Sequence, residues 1–401
     1  MATPVGELDV PEVDVFGVSR LEALAKLREV GQEHWLVKNM FGFGVTHYDD
    51  VVAILRDRRW HSALAYMPGR EEAMGPDSDG SILTMEGPNH SRLRRLAAPA
   101  FTPKSADRLR PFMREVINGL VDKVAPTGRC ELIEDVCEPY PIPIICELLG
   151  APKEDWKLFS NWATDIFRIF NNDLEADQDK IVTASEELYQ YVQNLIAERR
   201  STPGEDLLSD FIAAEEAGDR MSTDELVMMT EATLMAGTDT TRNQLACSVA
   251  VFTEHPDQWR LLADNPDLAP RAVEETMRVL GAVSGTARIA SEDIEYRDVL
   301  FPAGTLVATS LASANYDPDK FDDPFRFDIT REPGAAPQMT FGSGIHFCMG
   351  ADLARAELQE ALPLLARRMP DLGTYEPIEW KPGNIGIWGP ARLPLSFTVS
   401  A

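Results

Sequence analysis

Cys348 lies in a ten-residue string, Phe341-Gly-Ser-Gly-Ile-His-Phe-Cys-Met-Gly350, which is followed directly by a helical pattern. A thiolate near the start of a helix is stabilised by the helix dipole and by free backbone N–H groups. The three glycines of the string can adopt positive φ angles and let the backbone approach a flat ligand. A deprotonated sulfur in a tight loop with N–H donors is what ligation of a haem iron requires. Because a lone cysteine is more often a buried structural thiol, the interpretation depends on the whole string and on distant segments.

A second segment with unusual chemistry is Ala236-Gly-Thr-Asp-Thr-Thr241, at the centre of a long helical pattern. The capping box Ser222-Thr-Asp-Glu225 predicts the start of this helix, which would continue to about Thr253 and span on the order of 45–50 Å. Glycine and threonine are weak helix formers, so their position in mid-helix suggests a local purpose. The Thr240 hydroxyl can donate to the carbonyl of Ala236 and open a groove for dioxygen and water. The alternative is a tolerated polar patch that faces solvent.

Two other segments place charged residues at helical spacing. Glu275 and Arg278 lie at i, i+3 in an apolar helical pattern and would share one face. Arg326 lies downstream in Asp323-Pro-Phe-Arg-Phe327 and could complete a Glu–Arg–Arg cluster, which persists in an interior only if its members are well paired. A Glu-x-x-Arg pair on its own is common and usually lies on a surface.

Four further side chains are suited to bind carboxylates: His90, Arg94, Arg288 and His346. His90 and Arg94 are four residues apart and would share a helix face. Arginine binds a carboxylate through two parallel hydrogen bonds, so the four residues together could hold the two propionates of a haem. Taken singly, each is more simply explained as a surface residue.

Composition and charge narrow the classes of function. The chain has 401 residues, of which 44% are hydrophobic and 26% charged, and a net charge of −27, which makes nucleic acid a poor partner. Its five cysteines form no C-x-x-C pair, so neither a disulfide framework nor a zinc site is indicated, and a reducing compartment is favoured. No basic, apolar leader and no run of about 18 apolar residues is present. We therefore expect a cytoplasmic protein without a membrane anchor.

One basic segment contrasts with the acidic total charge. Between Ser91 and Phe112 there are six basic residues and a single acid, Asp107; the basic residues are Arg92, Arg94, Arg95, Lys104, Arg108 and Arg110. A local basic patch on an acidic protein can bind an acidic partner. The alternative is a solvated helix face.

The pattern of elements predicts a mainly α protein with small β-sheets, an α+β class. We expect a single domain over residues 1–401. Strands are expected at about 30–60, 285–335 and 380–400, and helices at about 85–280 and 348–370.

Together these segments resemble the cytochrome P450 family of haem-thiolate monooxygenases, in its soluble bacterial class. Four separated motifs match in order and spacing: Phe341–Gly350, Ala236–Thr241, Glu275–Arg278 and His90–Arg94. The resemblance covers essentially the whole chain, and the cysteine loop is its most specific part. It implies the fold of that family, with haem b buried between the long central helix and the helix that follows the cysteine loop.

The resemblance also implies a role for individual residues. Cys348 corresponds to the axial ligand of the iron, Phe341 to the aromatic residue that shields its sulfur, and Gly350 to the cofactor-binding glycine that ends the motif. Asp239 and Thr240 correspond to the acid–alcohol pair that delivers protons during oxygen activation. The propionate partners would be His90, Arg94, Arg288 and His346, and the structural triad would be Glu275, Arg278 and Arg326. Tyr316 stands where arginine is more usual in the family.

The family pattern also suggests the substrate pocket. Its expected lining residues are Ala232, Ala236, Ser284, Gly285, Thr286 and Ile387, and its expected roof and walls are His61–Leu83, Asp165–Phe170 and Ile385–Trp388. The small residues among them leave room for an apolar substrate of medium or large size. Steroids, terpenoids, fatty acids and macrolides all remain possible.

The implied activity is the insertion of one oxygen atom of O2 into an apolar small molecule, by hydroxylation or epoxidation. Electrons would come from a ferredoxin and an NAD(P)H-dependent reductase, and Arg92, Arg95 and Lys104 would form the docking patch on what we expect to be a monomer. The alternatives are a peroxide-driven haem peroxygenase, a non-catalytic haem sensor and a cysteine-nucleophile hydrolase. The first two would not need the Asp239–Thr240 pair, and the third lacks an accompanying triad.

Overall fold

The computed structural model describes residues 2–14, 18–39, 42–66, 81–170, 174–217, 220–334, 336–382 and 386–399. The α-helices in this part of the chain are α1 (Arg20–Val30), α2 (Tyr48–Arg56), α3 (Gly87–Ala97), α4 (Pro103–Val124), α5 (Pro141–Leu149), α6 (Trp156–Ile166), α7 (Leu174–Ser201), α8 (Leu207–Glu216), α9 (Thr223–Ala236), α10 (Asp239–Thr253), α11 (Pro256–Asp264), α12 (Ala269–Val279), α13 (Leu311–Ala314) and α14 (Ala351–Arg368). The helices dominate, and the predicted mainly α class is confirmed.

Short strands form small sheets beside the helices. They are β1 (Thr3–Pro4), β2 (Leu36–Asn39), β3 (Gly42–Val45), β4 (Trp60–Ser62), β5 (Arg129–Glu131), β6 (Gly285–Ala290), β7 (Ile294–Tyr296), β8 (Val299–Phe301), β9 (Leu306–Ser310), β10 (Gly373–Thr374), β11 (Glu379–Trp380), β12 (Pro390–Arg392) and β13 (Pro394–Ser396). The largest sheet has the strand order β2-β3-β9-β6-β4, with β3 and β9 parallel and its other neighbours antiparallel. The smaller sheets have the orders β1-β8-β7, β10-β13-β5 and β11-β12.

The strand regions differ in detail from those predicted. In the region 285–335, the strands end at Ser310, where the Ser310 hydroxyl accepts from the Ser313 N–H and caps α13. Strand β5 lies inside the region expected to be helical, because β13 pairs with it. The first difference follows from a helix cap at Ser310 that the sequence analysis did not single out. The second follows from a pairing partner more than 260 residues away along the chain.

Helix α14, which follows the cysteine loop, is held against α4 by core packing. Met113, Ile117 and Val121 of α4 lie at i, i+4 and i+8 and are completely buried, as are Leu358 and Leu362 of α14. The contact between α4 and α14 is the most extensive one between helices in the described part of the chain. Since α14 begins directly after the cysteine loop, this packing fixes the end of that loop.

The long helix predicted from Ser222 to Thr253 is interrupted. Its start has the predicted capping box between Ser222 and Glu225 and its end is at Thr253, but α9 stops at Ala236 and α10 begins at Asp239. A Cβ on Gly237 would lie 2.6 Å from the Ile145 side chain, so the glycine is required by the close approach of α5. The prediction of one continuous helix was therefore wrong at Gly237–Thr238.

No helix in the described ranges has both the length and the apolar character that crossing a membrane requires.

Candidate functional site

The cysteine loop is a tight structure held by its own backbone. The N–H of Cys348 donates to the carbonyl of Phe341 at 3.0 Å, and a short 3-10 turn spans Gly344–His346. Gly342 and Gly344 have φ angles of 71° and 74°, as the sequence predicted, whereas Gly350 has a φ of −82°. A Cβ on Gly344 would lie 2.0 Å from the carbonyl oxygen of Leu55, so only glycine fits there.

Gly350 has another role in this loop. No atom lies within 4 Å of the position that a Cβ would take at Gly350, and its N–H donates to the sulfur of Cys348. The expected positive φ at Gly350 was wrong, because this residue is the N-cap of α14 and has a near-helical backbone. The predicted N–H donor to the sulfur is confirmed.

Cys348 is the one exposed cysteine of the five, and it opens into a recess of about 250 Å³ lined in part by Arg94, Phe101 and Met349. Burial of the sulfur by the atoms around this recess raises the pKa of the thiol, while the N–H of Gly350 and the cations Arg94 and Arg355 act in the opposite direction. An added positive charge at the sulfur would tip this balance toward the thiolate.

Phe341 is positioned by an ion pair that the sequence analysis missed. The guanidinium of Arg355 lies 4.6 Å from the centroid of the Phe341 ring. It is held there by Glu274, whose carboxylate accepts from Nε and Nη2 at 2.6 and 3.1 Å. These contacts fix the ring beside the cysteine loop, where the shielding residue was expected.

The four predicted carboxylate binders come together, joined by Glu86. His90 is buried, and its ring centroid lies 4.6 Å from that of His346. Nε2 of His346 lies 3.1 Å from Oε1 of Glu86. Arg94 donates to the carbonyl of Phe347, next to the cysteine.

The strands bring Arg288 to the same place. In the largest sheet Arg288 pairs with Ser62 of β4, and the Ser62 N–H donates to Glu86 at 2.7 Å. Nη1 of Arg288 also donates to the Thr286 hydroxyl at 3.1 Å. Burial lowers the pKa of Arg288, and the charge of Glu86 opposes this effect. The sequence contained no local signal for Glu86.

The protonation of this cluster follows from burial and charge. Burial first, and then the neighbouring His346 and Arg94, lowers the pKa of His90 to about 4. Burial would raise the pKa of Glu86, but hydrogen bonds from His346 and from the Ser62 N–H outweigh it and hold that pKa below its usual value. The cluster thus carries more positive than negative charge and can accept further carboxylates.

The interruption between α9 and α10 has the predicted hydrogen bond. The hydroxyl of Thr240 donates to the carbonyl of Ala236 at 2.9 Å. Ala236 is exposed although the three residues before it, 233–235, are buried, so the interruption borders an open space. The predicted hydrogen bond from Thr240 is confirmed, and the groove that it would open stays a prediction.

Asp239 is buried and paired within its own helix. Arg242, one turn further along α10, forms the ion pair with its carboxylate. Arg242 also donates to the hydroxyls of Ser160 and Thr164 at 3.2 and 3.0 Å, and it lies 3.6 Å from Glu138. Because Glu138 is 36% exposed, this series of contacts connects the buried acid with solvent.

A second buried acid contacts Thr241, the residue after Thr240. Glu357 of α14 is almost completely buried and accepts a hydrogen bond from Thr241. Burial raises the pKa of Glu357 to about 8, and the Thr241 contact only partly opposes this. Glu357 is therefore a neutral acid next to the interruption at neutral pH.

The predicted Glu–Arg–Arg cluster forms with a different second arginine. Nε and Nη2 of Arg278 each donate to the carboxylate of Glu275 at 2.8 Å, and both residues are buried. Nε of Arg331 donates to the same carboxylate at 3.2 and 3.1 Å. The prediction of Arg326 was wrong, because its side chain pairs with Asp328 near the surface and only its carbonyl accepts from Arg278.

The expected pocket residues have different environments. Ala232 is half-buried and Ala236 exposed on α9, while Ile387 forms a bridge with Val283, directly before Ser284. The hydroxyl of Ser284 accepts from Arg20.

Two more of these residues lie on strand β6. A Cβ on Gly285 would lie 3.0 Å from the carbonyl oxygen of Thr309. Close packing of the strands therefore disfavours a larger residue at position 285. The Thr286 hydroxyl accepts from Arg288. Of the expected roof and walls, residues 67–80, the side chain of residue 170, and residue 385 lie outside the described residues.

A haem fits this donor set on the evidence of the structure itself. The exposed sulfur lies in an N–H-lined loop, the open position at Gly350 adjoins it, and the clustered cations can take two carboxylates. In the described ranges, no three acidic, histidine or cysteine side chains are clustered so that they could bind a metal ion by themselves.

Comparison with known proteins gives one consistent result. The family model described as Cytochrome P450 matches residues 35–265 and 264–368. Nocardicin C N-oxygenase of Nocardia uniformis subsp. tsuyamanensis is 39% identical over 377 residues, which are 92% of this chain and 90% of that protein. Mycinamicin IV hydroxylase/epoxidase of Micromonospora griseorubida is 35% identical over 96% of this chain and 97% of its own. Among solved structures, P450BioI in complex with an acyl carrier protein ligated to hexadec-9Z-enoic acid superposes with a TM-score of 0.86 at 32% identity, covering 94% and 98% of the two chains.

Proposed function

The chain is a member of the cytochrome P450 family of monooxygenases, and on that premise we propose that it inserts one oxygen atom of O2 into an apolar small molecule. The reaction is hydroxylation or epoxidation, and the substrate is of the steroid, terpenoid, fatty-acid or macrolide class. The observation that carries this proposal is the exposed thiol of Cys348 in its N–H-lined loop. The relatives that act on nocardicin C and mycinamicin IV support a substrate of considerable size.

The cofactor of this proposal is haem b. Cys348 would ligate its iron, and Phe341 would limit access of water to the sulfur. The propionates would be held by His90, Arg94, Arg288 and His346. Bound in this way, the haem supplies the redox chemistry that activates dioxygen, and the thiolate increases its electron density.

The chain's own residues manage protons during the reaction. The Thr240 hydroxyl, fixed by the Ala236 carbonyl, can hold a water molecule in the groove beside it. Asp239 can pass protons toward this water after its contact with Arg242 changes, and Glu138 is the end of that route in solvent. Their task is to supply protons at the groove while bulk water stays outside.

Electrons come from a separate redox partner, which we propose to be a ferredoxin with an NAD(P)H-dependent reductase. Arg95 and Lys104 are exposed and suited to bind an acidic ferredoxin. Arg92 is less suited, because it is tied to Glu225 in the first turn of α9. We therefore place the docking patch at Arg95 and Lys104 and assign Arg92 a structural role.

We further propose that residues 1–401 form one domain, that the protein is a monomer and that it works in the cytoplasm. The five free cysteines support a reducing compartment.

A spectrum and a product assay test the function. The reduced carbon-monoxide adduct should show the Soret shift typical of a thiolate ligand, and a histidine-type spectrum would reject the assignment of Cys348. Product should form with ferredoxin, reductase and NAD(P)H in excess of that formed with hydrogen peroxide alone. The reverse order would favour a peroxygenase, and a thiolate spectrum without turnover would favour a sensor.

A further inference from the structure

Helix α9 has one accessible stripe that leads to the interruption. Between Leu226 and Ala236, every residue is buried except Met228, Glu231, Ala232 and Ala236. These four lie at i, i+3, i+4 and i+8, the spacing of neighbouring positions along one side of a helix. The stripe ends at Ala236, whose carbonyl accepts from Thr240. It therefore borders the same open space as the candidate catalytic groove.

Glu231 is the single charged residue on this stripe. Within the described ranges, its carboxylate makes no hydrogen bond and no ion pair. Burial raises the pKa of Glu231 to about 7, and no charged neighbour contributes to that shift. Other half-buried acids near the site have hydrogen-bonding partners: Glu274 pairs with Arg355, and Glu86 contacts His346 and accepts from the Ser62 N–H. An acid without one is costly to keep charged.

A cationic ligand group would supply the missing partner. A carboxylate and an ammonium group attract each other more strongly in a partly desolvated site than in water. The negative charge of the whole protein also favours the approach of cations to it. Glu231 precedes Ala236, the last residue of α9, by five positions, which is roughly 7–8 Å along the helix axis.

Resting on the proposed function, we propose that Glu231 binds a cationic nitrogen of the substrate, so that the natural substrate is an apolar molecule with a basic amine. The amine therefore lies on the order of 10 Å from the groove at Ala236 and Thr240, given the helical rise between Glu231 and Ala236. The apolar side chain of Met228 and the small side chain of Ala232 flank the carboxylate and leave space for the carbon skeleton.

Matched probes can test this charge preference without knowledge of the natural substrate. Four scaffolds are used: a decyl chain, a monoterpene, a steroid and a macrolide. Each carries either a trimethylammonium group or its uncharged tert-butyl isostere. Because a quaternary nitrogen has no lone pair, it does not ligate iron. Binding to the holoenzyme is measured by calorimetry and by the spin-state change of the haem.

The expected result is a preference for the charged member of at least one pair, by about tenfold at pH 8. Glu231→Gln should abolish this preference and leave binding of the tert-butyl isostere unchanged. The control Asp224→Asn removes the same charge from an exposed position on the same helix and should keep the preference. Between pH 8 and pH 6 the charged probe should lose about tenfold in affinity, since the carboxylate becomes protonated.

Three results would overturn the assignment of Glu231: equal binding of both members of every pair, no binding of any charged probe, or a preference that persists in Glu231→Gln. Failure of the proposed function is separate and visible beforehand. In that case the carbon-monoxide adduct would lack the thiolate spectrum, whatever the probes do.

Discussion

Replacing Arg331 by methionine tests the corrected Glu–Arg–Arg cluster. The guanidinium of Arg331 donates to both carboxylate oxygens of Glu275 and also to the carbonyls of Asp322, Asp323 and Arg326. Its side chain is only 20% exposed. The matched control is Arg326→Met, because the Arg326 side chain is 64% exposed and pairs with Asp328.

The size of the effect follows from these contacts. A hydrogen bond to a charged group contributes about 1.5–3 kcal/mol, but Arg278 remains paired with Glu275 in the variant. We therefore expect Arg331→Met to lower the free energy of unfolding by about 3 kcal/mol. Arg326→Met should cost at most about 0.5 kcal/mol, as is usual for an exposed pair.

Calorimetry of the holoenzyme can measure this difference. Unfolding entropy of about 2.1 cal/mol/K per residue gives about 0.8 kcal/mol/K for the whole chain, so about 3 kcal/mol lowers Tm by about 4 °C. Arg326→Met should shift Tm by less than about 1 °C. Equal shifts for the two variants, or a shift below about 1 °C for Arg331→Met, would refute the assignment of Arg331.

The same cluster is connected to the cysteine loop, which gives a second measurement. Nη1 of Arg278 donates to the Asn315 carbonyl at 3.1 Å, and the Asn315 side chain accepts from the Met339 N–H at 2.6 Å. Met339 precedes Phe341 by two residues. Loosening the cluster should therefore increase the fraction of protein that loses haem or its thiolate spectrum during heating.

Three further changes test separate parts of the site. Thr240→Ala should lower product formed per NAD(P)H at least about tenfold while substrate affinity stays unchanged, and Thr240→Ser should restore coupling; equal coupling in both variants would contradict the role of the hydroxyl. Arg95→Glu should slow reduction by an acidic ferredoxin about three- to tenfold at low salt and less at high salt, whereas Arg92→Met should leave the rate unchanged. Stopped-flow spectroscopy measures both rates, and equal rates in the two variants would contradict the docking patch. Glu357 has a pKa raised to about 8, so the folded state holds a proton that the unfolded state releases. Stability should thus fall by about 1.4 kcal/mol per pH unit between about pH 5 and pH 8 relative to Glu357→Gln, and parallel pH profiles in urea unfolding would exclude this.

The features that the sequence predicted are those whose partners are close along the chain. The capping box at Ser222, the hydrogen bond from Thr240 to the carbonyl four residues earlier and the Glu275–Arg278 pair all follow from helical spacing. The loop before α14 belongs to the same class, because its glycines and its cysteine are within ten residues. Helix geometry alone fixes which of these groups can meet.

The features that were missed have distant partners. Glu86 meets His346 across 260 positions, and Arg355 meets Glu274 across 81. No local pattern distinguishes such a residue from a surface charge. The interruption at Gly237 depends on Ile145 of another helix, so the sequence pattern of the long helix could not reveal it.

Arg326 and Arg331 show how a small shift can decide a cluster. Both lie in the irregular segment after α13, where backbone turns rather than helical spacing set the direction of side chains. Asp323 has a φ of 45°, and its carbonyl and that of Asp322 accept from Arg331. This fold of the segment turns Arg331 toward Glu275 and leaves Arg326 at the surface, which residue types alone do not predict.

The Tyr316 substitution noted in the sequence is compensated by a neighbouring helix. The guanidinium of Arg28 lies 3.9 Å from the centroid of the Tyr316 ring, and the guanidinium of Arg278 lies 5.4 Å from the same centroid. The Tyr316 hydroxyl donates to the Val279 carbonyl at 3.0 Å. An arginine supplied by α1 thus stands near the position where the family more usually has one.

Asp239 and Glu231 differ in their partners, and this difference assigns them two separate tasks. Asp239 is paired with Arg242 one turn away, whereas Glu231 has no hydrogen bond or ion pair in the described chain and, in our proposal, gains a partner when a cation binds. Proton handling should therefore depend on Asp239 and substrate choice on Glu231. Asp239→Asn should slow turnover and increase its solvent isotope effect without changing which probe is preferred, while Glu231→Gln should change the preference and leave coupling with an uncharged substrate intact. If either variant altered both properties, the two acids would have to belong to one network, and the separation argued from their partners would be wrong.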